Sequence, residues 1–156
     1  MTGQTVIRPA REDEIEPLSQ LCRRSKAHWG YDARFMELSR NSLTVRRQWV
    51  TAGNVLVAER DGVAAGVAAI APDGPGHEVA LFFVDPAFMG HGIGADLYRA
   101  MIALAAERGI ARLGVLADPN AASFYEKMGA RPVGSEPSES IPGRFLPYLE
   151  VDVPRR

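Results

Sequence analysis

Val84-Asp85-Pro86-Ala87-Phe88-Met89-Gly90-His91-Gly92-Ile93-Gly94-Ala95 is the stretch on which the reading of this chain turns. It ends an apolar run, Val79 to Val84, at an Asp-Pro turn. It then spaces three glycines at positions 90, 92 and 94 and opens into a helical pattern. Strand, glycine-rich turn and helix N-terminus, in that order, build a cradle for an anion. Glycine has no Cβ, so it takes positive φ and lets backbone N–H groups approach a ligand. The first N–H groups of a helix lack intrahelical partners, and the helix dipole favours negative charge there. Taken alone, the same stretch also reads as a plain flexible turn.

Upstream, the pattern is a strand, helices and a meander. Thr5 to Pro9 reads as an edge strand stopped by proline. Acidic Glu12, Asp13 and Glu14 then suit the first turn of a helix in which Ile15, Leu18, Leu21 and Cys22 repeat at helical spacing, to about Lys26. A second helix is expected from Asp32 to about Ser42, with Phe35 and Leu38 inward; Leu43 to Ala52 is ambiguous. Strands follow from Val55 and over Val63 to Ile70, joined at Asp61-Gly62, a type I′ hairpin signal. Gly66 marks a bulge or a close backbone approach. After a Pro72 to Gly76 loop, Glu78 to Val84 is the third strand, apolar enough to lie centrally.

Downstream, the helix carries Ile93, Leu97, Met101 and Leu104 on one face and ends near Gly109. Arg112 to Ala117 is expected to run parallel to the strand before Asp85. Asp118-Pro119-Asn120 starts a helix to Lys127, closed by Gly129. Strands from Arg131 and over Phe145 to Val153 flank a loop, Pro137 to Gly143.

Composition fixes the broad class. The 156 residues are 46% hydrophobic and 24% charged, as expected for one globular domain, residues 1–156, with a single sizeable core. A net charge of −1 gives no electrostatic footprint for nucleic acid or an acidic membrane. The pairs Arg23-Arg24, Arg46-Arg47 and Arg155-Arg156 read as solvated. The single cysteine, Cys22, excludes an internal disulfide and reads as core. No stretch suits a signal peptide and none approaches 18 apolar residues, so the protein is expected in the cytoplasm.

The order of elements, together with two motifs, resembles the GNAT superfamily of N-acetyltransferases. The first motif is Met89-Gly90-His91-Gly92-Ile93-Gly94, similar to the family's acyl-CoA turn, with Met89 where a Gln or Arg is usual. The second is Asn120-Ala121-Ala122-Ser123-Phe124-Tyr125-Glu126-Lys127-Met128-Gly129-Ala130, where Ala130 replaces a final aromatic. The resemblance implies an α+β fold, a mixed, mostly antiparallel sheet of about six or seven strands flanked by about four helices. It implies acetyl-CoA as acyl donor, with no metal, and a small-molecule or peptide amine as acceptor; a homodimer stays open. By the same resemblance the pyrophosphate would meet Met89, Gly90, His91, Gly92, Ile93, Gly94 and Ala95. The pantetheine arm would lie along the backbone of Phe82, Phe83 and Val84, as in strand addition, and touch Asn120 and Ser123.

Transfer of an acetyl group to an amine needs positioning, a base, an oxyanion donor and a proton for the thiolate. A strand N–H near Phe83 or Val84 is the oxyanion candidate. Tyr125 would lie near the sulfur; a phenol pKa of about 10 stands above a thiol's 8.5 or so, so Tyr125 is expected to hold a proton for the thiolate. Glu78, the one carboxylate in the strand before the turn, is the candidate base, with His77 second. Lys26, His28, Trp29, Tyr31 and Arg144 are the acceptor-pocket candidates, a set that suits an amine also carrying an acid or an aromatic group. Two rivals remain at this point. Gly90, Gly92 and Ala95 with Asp118 also fit a dinucleotide-binding oxidoreductase. Met89 also fits a non-catalytic acyl-CoA sensor.

Overall fold

A computed structural model describes residues 4–71 and 77–155. Seven strands among them form one sheet in the order β1-β2-β3-β4-β5-β7-β6. The strands are β1 (Thr5–Pro9), β2 (Val55–Arg60), β3 (Val63–Ala71), β4 (His77–Val84), β5 (Arg112–Leu116), β6 (Arg131–Pro137) and β7 (Phe145–Asp152). Only β4 and β5 pair in parallel; every other neighbouring pair is antiparallel. Five helices flank the sheet: α1 (Ile15–Ala27), α2 (Ala33–Ser39), α3 (Arg47–Thr51), α4 (Ile93–Glu107) and α5 (Ala122–Lys127). The expected Pro72 to Gly76 loop falls outside the described residues.

Both faces of the sheet are covered. Leu18, Leu21 and Cys22 of α1 and Trp49 and Val50 of α3 pack on Val55, Val57, Val67 and Leu81. On the other face Ile93, Leu97, Met101 and Ala105 of α4 and Tyr125 of α5 pack on Leu56, Ala58, Ala68, Leu113 and Leu149. A strand covered on both sides has no polar face, hence the near-continuous apolar runs of β2 to β4. The β2–β3 hairpin turns as its sequence requires, with Asp61 at φ 53° and Gly62 at φ 79°. Gly66 has both expected roles. The register slips beside it at Ala65, and a Cβ there would come within 3.2 Å of the Phe83 carbonyl and 3.3 Å of Leu97.

Local expectations fail where tertiary contacts outweigh periodicity. The ambiguous Leu43 to Ala52 stretch forms α3, the fifth helix among the described residues, anchored by buried Leu43, Val45 and Trp49, and a short 3-10 turn (Asn41–Leu43) precedes it. α2 starts one residue after the Asp32 cap, whose carboxylate accepts from the Phe35 N–H, but stops at Ser39. Met36 and Ser39 face inward and Phe35 is half-buried against Tyr31, but Leu38 stays 39% exposed. α5 starts at Ala122, because the Asp118 carboxylate accepts the Asn120 N–H and turns the chain first.

Candidate active site

β4 carries a bulge. Ala69 of β3 faces Leu81, while its neighbour Ile70 faces Val79, leaving Ala80 as an extra residue. The bulge resets the alternation, so Ala80 and Leu81 both point to the α1 face while Phe82 and Val84 turn to the α4 face. On its other edge β4 pairs with β5 only at His77↔Leu113 and Glu78↔Gly114. The two strands then diverge, leaving Val79–Val84 with a free backbone edge among the described residues.

That free edge runs into the glycine turn. Asp85 holds the turn in place. Its N–H donates to Ala65 O at 2.8 Å, and its carboxylate caps the 3-10 turn Pro86–Phe88 and pairs with Arg24 at 2.7 Å. Gly90 and Gly92 sit at φ 85° and 76°, with open space where a Cβ would point. Gly92 is the N-cap of α4, so the first amides of that helix face outward. Gly94 has a different role: a Cβ there would meet the Phe124 ring at 3.3 Å, so its absence lets α4 and α5 close together.

On the α1 face a cleft of about 340 Å³ opens beside β4. Glu78, Val79, Ala80 and Phe83 line it from the strand, Ser42, Arg46 and Trp49 from the helical side, and Ser138 to Ile141 from the β6–β7 loop. The Ser42 and Ser140 hydroxyls, from these two sides, meet at 2.8 Å. Tyr148 of β7 donates its hydroxyl to Glu78 Oε2 at 3.0 Å, and burial followed by the Glu78 charge pushes this phenol up to about 12. The phenol passes directly over Gly114, where a Cβ would lie 1.9 Å from its oxygen.

Asp118, at the end of β5, ties together the residues around one end of the cleft. Its Oδ2 meets Lys26 Nζ at 2.6 Å and accepts from Tyr31 Oη at 2.8 Å; its Oδ1 accepts from Asn120 Nδ2 at 3.0 Å. Arg144 donates to Tyr31 Oη at 2.8 Å and lies 3.7 Å from Asp118. Tyr31 and Phe35 stack at 3.9 Å, and the Lys26 and Arg144 cations lie against both rings. Burial by itself would raise the Asp118 pKa, but Lys26, the Asn120 N–H and Tyr31 hold it below the ordinary value. Burial lowers Lys26, with Asp118 opposing.

Behind β4, Phe82, Tyr98, Phe124 and Tyr125 form an aromatic box with neighbouring centroids 5.5–6.4 Å apart. Tyr125 is 6% exposed, and burial, then the nearby Tyr98 and Asp118, raises its phenol well above the ordinary value. Burial likewise raises Tyr98, whose hydroxyl has no partner among the described residues.

The sequence model of the acetyltransferase (GNAT) family matches residues 18–130. The chain belongs to the GNAT acetyltransferase family. The fold agrees with solved GNAT structures. PaiA N-acetyltransferase of Thermoplasma acidophilum, solved with coenzyme A, is 18% identical over 96% of this chain and 99% of its own, with TM-score 0.74. YncA of Salmonella typhimurium, described as a putative acetyltransferase and solved with acetyl-CoA, is 22% identical over 98% and 96%, with TM-score 0.71. Ribosomal-protein-alanine N-acetyltransferase of Brucella melitensis is 23% identical over 94% and 99%, with TM-score 0.70. No curated protein matches the chain. A dinucleotide-binding oxidoreductase does not fit this GNAT chain. Its glycine turn follows an antiparallel meander rather than opening a βαβ unit, and Asp118 is engaged by Lys26.

The GNAT fold sorts the sequence candidates. Phe82, Phe83 and Val84 lie on the free edge of β4, beside the turn from Met89 to Ala95. Within that turn the Ile93 side chain is 1% exposed in the core, which leaves only its backbone for any contact outside, while Met89 remains 37% exposed. Ser123 is exposed on α5, and the Asn120 amide is spent on Asp118 and Tyr31. Of the acceptor-pocket set, Lys26, Tyr31 and Arg144 come together. His28 and Trp29 stand apart as an exposed edge-to-face pair, because the end of α1 turns them outward. Asp118, Tyr148, Gly114 and Arg46 were not among the acetyl-transfer candidates. Asp118 carried a signal, lying two residues before Asn120 of the second motif; Tyr148 and Arg46 carried none.

Proposed function

We propose that the protein is an N-acetyltransferase that moves an acetyl group from acetyl-CoA to a primary amine by direct attack in a ternary complex. The observation that carries this reading is one strand serving two sites. β4 offers a free backbone edge leading to a left-handed glycine turn and a helix N-terminus, and Glu78 of the same strand lines a cleft on the α1 face. The edge suits an amide-rich arm, and the turn suits a pyrophosphate. Gly90, Gly92, Gly94 and Ala95 would cradle the phosphates with the His91 and Ile93 backbone. Phe82 to Val84 would hold the arm, with Ser123 and a reoriented Asn120 beside it.

Acetyl-CoA would supply an activated thioester; all else falls to the chain. Glu78, directly or through water, takes a proton from the incoming ammonium, with Tyr148 holding the carboxylate in place. A β4 N–H near Phe83 or Val84 faces the carbonyl oxygen. Tyr125 serves the sulfur in a narrower sense than its ordinary pKa implied. A phenol is already a weaker acid than a thiol and burial widens that gap, so full proton transfer to the thiolate is uphill, and a hydrogen bond to the developing charge is what it can give. The test is free-thiol release from acetyl-CoA across a broad amine panel, with acetyl-CoA affinity measured by calorimetry. Turnover with at least one amine is expected, with Tyr125→Phe lowering kcat by roughly tenfold to a hundredfold at nearly constant affinity. Tight acetyl-CoA binding without turnover on any amine would replace this reading by the acyl-CoA sensor.

A further inference from the structure

We infer that Arg46 is a carboxylate anchor in the cleft, so that the acceptor is a small amine that also carries a carboxylate. The inference rests on the acetyltransferase reading of the same cleft. Three cations line it, Lys26, Arg46 and Arg144. Two of them are already engaged. Lys26 Nζ lies 2.6 Å from Asp118 Oδ2, and Arg144 lies 3.7 Å from that oxygen while donating to Tyr31. Arg46 has no side-chain hydrogen bond or ion pair among the described residues. Its guanidinium carbon instead sits 5.3 Å from the centre of the Trp49 ring, itself only 7% exposed.

A guanidinium over an indole is attracted to the ring, and with no hydrogen bond or ion pair among the described residues the Arg46 N–H donors stay available. Those donors form a planar fork matched to a carboxylate, and the side chain held over Trp49 has already lost part of its freedom. Glu78 supplies the opposite charge at β4, where the amine must be to react. The Asp118 charge is compensated by its two cations and does not repel an acid. Glu139 is the opposing feature. It lines the same cleft with no ion-pair partner among the described residues and would favour a second ammonium. It has no platform such as Trp49, so engaging a ligand would cost it side-chain freedom that Arg46 has already given up. The cavity of about 340 Å³ is of small-molecule size, and the Ser42–Ser140 contact joins its walls.

The full chain is assayed for thiol release with three matched series: ω-amino acids of increasing length, their primary amides, and α,ω-diamines. The acids should exceed the amides in kcat/KM by about tenfold or more, mostly through KM, as for one hydrogen bond between charged groups. The length optimum then reports the span from Glu78 to Arg46. Arg46→Gln should bring the acid-to-amide ratio to about one, and Arg46→Lys should restore part of it. Thermal melting of both variants controls for folding. Equal rates for acids and amides, a preference for diamines, or an acid preference that survives Arg46→Gln each overturn the inference. If no amine is turned over, the acetyltransferase reading fails separately. Calorimetry of the acids on wild type and Arg46→Gln then decides the anchor, binding lost in the variant supporting it and unchanged or undetectable binding overturning it.

Discussion

Gly114 has no side chain because a phenol occupies the place where one would go. Its missing Cβ would lie 1.9 Å from Tyr148 Oη and 2.7 Å from Cζ, so even alanine must displace the ring that holds Glu78. Gly114→Ala is therefore expected to act as Tyr148→Phe does, lowering kcat by about tenfold, the equivalent of the ~1.5 kcal/mol of a hydrogen bond to a charged group. In the Tyr148→Phe background the glycine substitution should add little, and a double-mutant cycle measures this directly. Full additivity would mean that the two residues act separately. Tyr98 makes the opposite case. Its buried hydroxyl has no partner among the described residues, and an unmet buried donor costs about 1–3 kcal/mol. Tyr98→Phe keeps the ring in the aromatic box and should raise Tm by about 2–4 °C per kcal/mol recovered. A lower Tm would reveal a partner for the hydroxyl in solution.

The end of β5, the end of α1, the loop before α2 and the loop before β7 converge on one carboxylate. Asp118 and Lys26 have side chains only 8% and 13% exposed, so breaking this pair leaves a charge stranded. Asp118→Ala should cost about 3 kcal/mol, and Lys26→Met combined with it less than the sum of the single changes, both read from denaturant unfolding. The pH dependence has a definite sign. The folded Asp118 pKa lies below its ordinary value, so its contribution is fully present above the unfolded carboxylate value of about 3.9 and is lost as pH falls through the lower folded value. The stability gap between wild type and Asp118→Asn should thus stay flat from neutral pH to about 5 and shrink in stronger acid. A gap that widens on acidification would contradict this. The clasp also holds the Asn120 amide, so a ligand calling on that amide must first take it from Asp118 and Tyr31.

Across the molecule, the sheet gives one strand, β4, both a free backbone edge and a cleft on its α1 face. The wedge between β4 and β5 exposes strand backbone in the middle of a sheet, where pairing is otherwise complete. An amide-rich ligand that adds there would pair with those free groups. On adding acetyl-CoA, the amides of Val79–Val84 that do not face β3 should therefore gain protection from hydrogen exchange, while those bonded to β3 change little. Uniform protection of the whole sheet would indicate general stabilisation instead of pairing at the wedge.

What could be read from the chain directly was local chemistry. Periods of two and 3.6, Asp-Gly at a hairpin, proline at a strand end and alternating glycines before a helix each act within a few residues. They gave the kind and order of most elements and the place of the glycine turn. Helix ends and Leu38 were misjudged where buried Leu43 and Trp49, or the Asp118 carboxylate, drew the chain elsewhere. The cleft depends on contacts of another kind. Lys26 meets Asp118 across 92 positions, and Tyr148 meets Glu78 across 70. Such meetings follow from β7 lying between β5 and β6, and from one extra residue at Ala80 that re-aims the following side chains. Neither the strand order nor that bulge is encoded in any short window. Both arise when the two faces of the sheet are buried together, and it is this that commits Lys26 and Arg144 to Asp118 and Tyr31 while Arg46 has no ion pair among the described residues.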